Sequence, residues 1–369
     1  MFYLGIDQHR KQLTVALRDE QGNLVMRRQV STVWDRVREF LSALREQCAA
    51  EGGYVAIVEV CGFNDWLLKL LPEYGCKEVV LIQPEERRSN KTDRRDAGRL
   101  SELLWINRQR LLAGERVQGL RRIFIPSAED LADRQLVSLR KRITDGRTRL
   151  INRIKRVLNK HNLQHGCPTK GFKTKAARAW LKQLALEELD RFEVDQNLDQ
   201  WDLLDRELNR VQARLWERAA LNENAIVIAT LYGKRAGYAP LALAASIGPI
   251  DRFPTPRSLA NYWGLTPSCR NSGDAQQRLG KITKQGSPIA RYLLGQLTTN
   301  VLRRDRWLRD WYKRIKHRRG VKVARVAVMR RLATILWHML KRKQPYLPGD
   351  PAAWKAVPKL LASTSSGAA

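Results

Sequence analysis

The sequence predicts an α/β domain followed by a long, mainly helical region. Three short β-rich runs in quick succession near the N-terminus predict an antiparallel meander. Apolar strand-like runs alternating with amphipathic helices then predict parallel strands added to it. After residue 127 a seven-residue recurrence of apolar side chains predicts long paired helices.

In chain order, residues 2–6, 12–18 and 24–30 are the three β-rich runs, and Glu20-Gln21-Gly22-Asn23 supplies turn chemistry between the second and third. Val37, Phe40, Leu41 and Leu44 then share one helical face. YVAIVEV (54–60), a helix through Trp66 to Leu71, and EVVLIQP (78–84) form a β-α-β unit. A meander extended by β-α-β units is the plan of the ribonuclease H and RuvC fold. Residues 1–126 are therefore expected to form an α/β RuvC-like (ribonuclease H-like) domain.

Pro126-Ser127, with Glu129 and Asp130 following, is a helix start. Leu136, Ile143, Leu150 and Val157 recur every seven residues, and Trp201, Leu204, Leu208, Val211 and Leu215 alternate steps of three and four. Both are coiled-coil seams, interrupted by Gly166-Cys167-Pro168 and a Lys-rich stretch. Residues 127–222 are expected to be a coiled-coil helical arm that either dimerises or packs on itself. From Ala225 the chain becomes short helices punctuated by Gly233, Gly237, Pro240, Gly248, Pro249, Pro254 and Pro256. The stretch PSCRNSGDAQQRLGKITKQGS (267–287) reads as a loop ahead of three helices ending near Lys343. Residues 223–345 thus read as a mostly α-helical C-terminal domain, and residues 346–369 as a low-complexity, disordered tail.

Lys and Arg number 68 against 37 Asp and Glu, a formal net charge of +31. Such an excess repels itself in the compact state without polyanions, so nucleic acid is the expected partner. The five cysteines are scattered without a CxxC pair or a secretory leader, which predicts reduced thiols in a cytoplasmic protein. No apolar run approaches the ~18 residues of a membrane span.

Four acids carry the chemical reading. Asp7 ends the first apolar run, Glu59 sits in YVAIVEV, and Asp93 and Asp96 open a helix behind Thr92 as N-cap. Spacing of i,i+3 puts the last two on one helical face. Carboxylates at adjacent strand ends, completed by such a helix, supply the hard oxygen ligands that two Mg²⁺ ions need for phosphoryl chemistry. The plainer alternative is that Asp93 and Asp96 complement the helix dipole and pair with Arg94, Arg95 and Arg99. Glu59 resists a plain reading, because an unpaired charge inside an apolar run is costly.

Basic residues cluster in three places. Arg87, Arg88, Lys91, Arg94 and Arg95 surround the acids at Asp93 and Asp96. Residues 140–156 form a basic helical run that is partly a solvated face. Residues 303–320 carry nine Lys or Arg against two Asp, net +7, including Arg314, Lys316, Arg318 and Arg319. The arginines there are expected to contact phosphates, and Trp307 and Trp311, spaced i,i+4, to form a buried stripe. Among the histidines, His161 and His165 are read as partners of a helix C-terminus, zinc is not expected, and His9 is a candidate DNA contact.

GID at Gly5–Asp7, the segment from Val58 to Gly62 and the string KTDRRDA resemble the DEDD-type insertion-sequence transposases of the IS110 family. So do IGPIDRFPTPRSLANYWGLTPS, the NSG after it, RLGKITKQGSPIARYLL and the last long helix, so that the resemblance covers nearly the whole chain. It implies a recombinase guided by a structured non-coding RNA, acting on donor and target DNA in the cytoplasm, on nucleoid DNA. It also implies a RuvC-like domain with Mg²⁺ on Asp7, Glu59, Asp93 and Asp96, a helical arm for subunit contact in a dimer or tetramer, and a C-terminal transposase domain with a catalytic serine.

The family's serine-glycine step falls on Ser272-Gly273, which makes Ser272 the expected nucleophile; Asn271 stands where many members have another serine, and Ser268 is the alternative. No histidine lies within 40 residues of Ser272, so its activation has to come from elsewhere in the fold. The likeness implies the metal-bound site as that source. Arg270, Arg278, Lys281 and Lys284 are expected to neutralise the phosphate or to dock the backbone. The usual Pro-Gly-x-Gly hairpin is replaced by LYGKRAGYAP, which weakens the case for a phosphate contact there. The competing function is a metal-dependent junction-resolving endonuclease of RuvC-like fold with water as nucleophile.

Overall fold

The structure, a computed structural model, describes residues 1–84, 93–115, 117–118, 120–233, 237–270 and 278–349. The chain divides into two compact units, residues 1–125 and the chain from Pro126 onward.

The first unit is a six-stranded sheet with helices on both faces. Strands β1 (Phe2–Gln8), β2 (Gln12–Arg18) and β3 (Leu24–Ser31) form the expected meander. Helix α1 (Trp34–Ala49), β4 (Tyr54–Glu59), α2 (Asp65–Glu73) and β5 (Cys76–Pro84) follow, with β4 parallel to both β1 and β5. Helices α3 (Asp93–Ile106) and α4 (Arg108–Leu112) precede a short edge strand, β6 (Leu120–Arg122), antiparallel to β5. The order across the sheet is β3-β2-β1-β4-β5-β6. β6 was not foreseen, because three residues, two of them Arg, carry no alternation to read; Arg122 is held there by an ion pair to Glu78 at 2.5 Å.

Period-two alternation sorts the strand residues onto two faces. Leu4, Ile6, Val15 and Ala56 pack with Val37, Phe40 and Leu41 of α1 and with Leu67 and Leu71 of α2. Tyr3, Val55, Ile57 and Val80 pack on the other face with Leu100 and Leu104 of α3. The central strands are buried on both faces, which is why they read as unbroken apolar runs.

On the α3 face, Gly5 has a specific job. A Cβ there would strike the carbonyl oxygen of Ala97 and the amide nitrogen of Ser101, so glycine lets the helix backbone lie directly on the strand. Ala97 and Ser101, both fully buried, keep the helix side of the contact equally thin.

The second unit is mostly helical. α5 (Ala128–Lys160) and α7 (Glu188–Leu221) bracket α6 (Lys175–Gln183). Pairs between α5 and α7 run from Asp133–Arg218 and Arg147–Asp205 to Arg156–Glu193 and Lys160–Asp190, an antiparallel ladder within one chain. At one end Leu150, Ile154, Val157, Leu198 and Trp201 form a core of their own. At the other, Val137, Val211 and Leu215 join the core of α8 (Glu223–Tyr232), α9 (Tyr238–Ile247), α10 (Pro256–Tyr262), α11 (Pro288–Arg304) and α12 (Arg306–Arg342).

The stretch expected to be a loop before α11 instead carries a hairpin, β7 (Pro267–Arg270) with β8 (Arg278–Ile282). Its small polar residues lack strand propensity, and pairing across the hairpin overrides that. α12 is two helices that meet at Gly320, where φ is 79° and ψ 168°, a conformation open to glycine almost alone. Tyr346, at the start of the expected tail, is buried in the core of this unit. Among the described residues no helix is long and apolar enough to cross a membrane.

Gly5→Val is expected to lower the unfolding free energy, read from urea titration, by about 1–3 kcal/mol through overpacking, whereas Gly62→Ala, with nothing within 4 Å of the added carbon, should leave it unchanged.

Candidate metal centre and nucleic-acid interface

The parallel register of β1 and β4 sets the site. Ile6 is paired with Val58, so the next residues, Asp7 and Glu59, stand side by side at the carboxyl ends of the two strands. Alternation puts both on the face that carries Tyr3, Val55 and Ile57, the face covered by α3. The direction of α3 completes the picture. Its C-terminal Trp105 donates to the carbonyl of Glu20, and Arg18, paired with Tyr3 at the start of β1, donates to Ser101. The helix therefore runs antiparallel to β1, and its N-terminal turn, with Asp93 and Asp96, extends toward the Asp7 end. Asp93, Asp96, Leu100 and Leu104 fall on one helical face, and the two leucines fix that face against the sheet. The side chains of Asp93, Arg94 and Arg95 lie outside the described residues, as do Arg87, Arg88, Lys91 and Thr92.

The carboxylates differ in their company. Asp7, whose side chain is 14% exposed, meets His9 Nε2 at 3.0 Å, so the imidazole proposed as a DNA contact is engaged with an acid. The carboxylates of Glu59 and Asp96, both half-buried, make no hydrogen bond or ion pair among the described residues. Arg99 does not pair with Asp96, whereas Arg94 and Arg95, the other expected partners, lie outside the residues whose side chains are described. Cys61, two residues after Glu59, records the local field: burial pushes its thiol above its ordinary value, and the charges of Asp7 and Glu59 push it the same way. A half-buried anion without a hydrogen-bonded partner is costly in a folded protein, and a divalent cation relieves that cost. Oxygen-only donors are the type Mg²⁺ prefers, but among the described residues the ligand atoms of Asp7, Glu59 and Asp96 do not gather within 4.8 Å of one another as a three-carboxylate group.

A polar buckle, not foreseen from sequence, holds the strand ends in place. Asn64, 3% exposed, donates to Gln8 Oε1 at 2.9 Å and to the Glu59 carbonyl at 3.2 Å, and accepts from the Cys61 amide at 2.5 Å. Gln8, 5% exposed, in turn donates to the Phe63 carbonyl at 3.0 Å. The loop after β4 is thereby tied to the end of β1. The only sequence signal was a Gln directly after Asp7 and an Asn five residues beyond Glu59.

The second acidic cluster differs. Ligand atoms of His161, Glu187 and Asp190 lie within 4.8 Å of one another, a group that sequence spacing did not suggest. Lys160 Nζ, 2.7 Å from Asp190, already supplies the cation, and hydrogen bonds from Lys160 and His161 hold the Asp190 carboxyl below its usual range. An ion-pair network accounts for it.

In the C-terminal unit, Ser272 lies outside the described residues, and the side chains of Arg270 and Arg278 are not described, although their backbones pair across the hairpin. The other serines have structural partners. Ser268 donates to the Lys281 carbonyl at 3.1 Å, and Ser287 caps α11 by accepting from the Ala290 amide at 3.2 Å. Lys281 and Lys284 are exposed beside the hairpin. Arg314, Lys316, Arg318 and Arg319 are exposed on the first arm of α12. The expected tryptophan stripe is divided: Trp311 packs against the core, whereas Trp307 is 67% exposed. Spacing of i,i+4 gave them one face, but the N-terminal end of that face lies beyond the edge of the core.

Two family models match the chain. One, described as a transposase, matches residues 4–163 and so spans all four carboxylates. The other, described as the transposase IS116/IS110/IS902 family, matches residues 237–313 and spans Ser272. A transposase for insertion sequence element IS1111A from Coxiella burnetii is 27% identical over 94% of this chain and 91% of its own length. A protein named "Probable family 20 transposase" from Pseudomonas aeruginosa is 28% identical over 94% of this chain and 98% of its own. A carboxylate-edged α/β unit joined to a strongly basic helical unit is here a DNA-processing enzyme of the transposase class. Within that class the chain belongs to the IS110 family of insertion-sequence transposases.

Asn64→Ala should cost about 1–3 kcal/mol by leaving buried partners unsatisfied, and should speed hydrogen exchange at Cys61, whose amide it accepts from, more than at Val37 in α1.

Proposed function

We propose that this transposase carries out RNA-guided DNA cleavage and strand exchange, with Mg²⁺ held by Asp7, Glu59, Asp93 and Asp96 and with Ser272 as the nucleophile that becomes linked to DNA. The observation that carries the metal reading is the parallel register that sets Asp7 beside Glu59 at adjacent strand ends, with the half-buried Glu59 carboxylate making no hydrogen bond or ion pair among the described residues. The strand order β3-β2-β1-β4-β5, antiparallel then parallel, supports a RuvC-like reading of the first unit.

Bound there, Mg²⁺ would supply Lewis-acid stabilisation to a scissile phosphate. Asp7 and Glu59 are presented from adjacent strand ends, and Asp96 from a helix pressed onto the same sheet. The Gln8–Asn64 buckle keeps the two strand ends from parting. The structural roles of Ser268 and Ser287 favour Ser272 as the hydroxyl that attacks phosphorus while the strand's own phosphorus–oxygen bond breaks. The antiparallel packing of α5 on α7 leaves the exposed Leu189 and Phe192 of α7 for contact with a second copy in a homo-oligomer. A charge of +31 suits polyanionic partners, DNA and the guide RNA alike.

Asp7→Asn and Glu59→Gln should each reduce strand cleavage by roughly a hundredfold or more while leaving DNA binding in EDTA unchanged. Full strand exchange by both Asp7→Asn and Asp96→Asn would refute the metal reading. Ser272→Ala should abolish the covalent DNA adduct on denaturing gels; if cleavage continues undiminished, water is the nucleophile and the enzyme is a junction-resolving nuclease. Omission of the non-coding RNA flanking the gene should abolish exchange, and exchange that proceeds without it removes the guide from the mechanism.

A further inference from the structure

The two arms of α12 fold back on each other at Gly320, and one cleft records it. Leu308, Trp311 and Arg314 of the first arm line it together with Met339, Ile335 and Arg331 of the second. Residues 344–349 close the third side, leaving a cleft of about 650 Å³. That volume lies within the range of roughly 300–1,000 Å³ that admits a small planar group. A nucleic-acid duplex is far too wide for it.

The lining is amphipathic in a particular way. Leu308 and Met339 are buried at its floor, and Ile335 is partly buried. Arg314, Arg331 and Arg342 stand exposed around it, without an ion-pair partner among the described residues. The one carboxylate in the lining, Asp305, is 5% exposed, accepts from the Leu308 amide and the Tyr346 hydroxyl, and forms no ion pair with the arginines of the lining. Trp307, 67% exposed, presents an open ring at the edge of the cleft.

The third wall is anchored. Tyr346 is buried, its amide donates to Thr230 Oγ1 at 2.8 Å, and its hydroxyl donates to Asp305. Three residues on, Gly349 passes so close to Trp307 that a Cβ would lie 2.7 Å from Cδ1 of the ring. The absence of a side chain there keeps the tryptophan clear.

An exposed indole beside a concave apolar floor ringed by unpaired guanidinium groups matches one chemistry, an unstacked base with its phosphate. Paired bases hide their faces within the duplex, whereas single strands offer them to aromatic platforms. We propose that this cleft takes one unpaired nucleotide of a DNA or RNA strand, its base stacked on Trp307 and its phosphate neutralised by Arg314, Arg331 and Arg342. The inference rests on the chain's acting on nucleic acid and is independent of the carboxylates and of Ser272. A second protein copy is a poor occupant, because the same surplus of positive charge would face it from the partner.

The test is equilibrium binding of the full chain, in EDTA, to short fluorescent oligothymidine, oligouridine and a blunt DNA duplex. Trp307→Ala should weaken single-strand binding roughly tenfold and leave duplex binding unchanged, while Trp307→Tyr, which keeps a stacking face, restores it. Arg331→Gln should lower the salt dependence of single-strand binding by about one unit of slope. A 2-aminopurine base in the strand should be quenched by the wild-type protein and not by Trp307→Ala. Whichever of the DNA and RNA strands loses more affinity is the source of the nucleotide. An equal loss for duplex and single strand, or no loss with either the Trp307 or the Arg331 variants, overturns the proposal. So does a change confined to the sedimentation of the protein, which would make the cleft a self-association surface. Failure of the metal or serine variants in cleavage would leave these binding results untouched.

Discussion

The close approach of α3 to β1 over Gly5 is the constraint on which the candidate metal centre depends. A helix normally rides on a sheet at the distance its side chains impose, but here the backbone of Ala97 and Ser101 lies where a β-carbon would be. The packing of Leu100 and Leu104 beside Tyr3 then fixes the rotation of the helix, and the direction of α3 puts its acidic turn at the Asp7 end. A glycine next to an acid in the same strand thus couples core packing to site geometry.

The strand ends that carry Asp7 and Glu59 are tied together by polar side chains. Glu59 and Asp96 are half-buried with no ion-pair partner among the described residues, so the site depends on whether the strand ends are free to separate. They are not free, because buried Gln8 and Asn64 are satisfied only when the loop after β4 stays against β1. The hydrogen-bond network supplies the rigidity with which Asp7 and Glu59 are presented at adjacent strand ends.

In the C-terminal unit the same principle works through a helix break. Gly320 adopts a backbone conformation that other residues avoid, and the break turns what would be a long basic rod into two facing arms. Basic residues far apart in sequence, Arg314 and Arg331, come to line one cleft. Positive charge that composition presents as a diffuse surplus is concentrated locally by backbone geometry.

Much of this was legible in the chain. The meander, the β-α-β extension, the helix boundaries near Ser127 and the apolar periodicities of α5 and α7 follow from local pattern, because period and turn chemistry act over a few residues. The four acids and the family motifs were legible for the same reason, and Asp7 beside Glu59 follows once two apolar runs are read as neighbouring parallel strands. The buckle through Gln8 and Asn64, the edge strand β6, the hairpin flanking residues 271–277, the division of Trp307 from Trp311 and the meeting of His161 with Asp190 were not. Each depends on which distant segment a residue meets, and single residues of ordinary polarity carry no periodic signal of their partners. What the sequence alone determined was the kind of elements and the chemical types present. What the tertiary structure decided was which polar side chains tie the strand ends together, which aromatic faces water and which arginines converge, because burial and proximity are set by packing between segments and not by order along the chain.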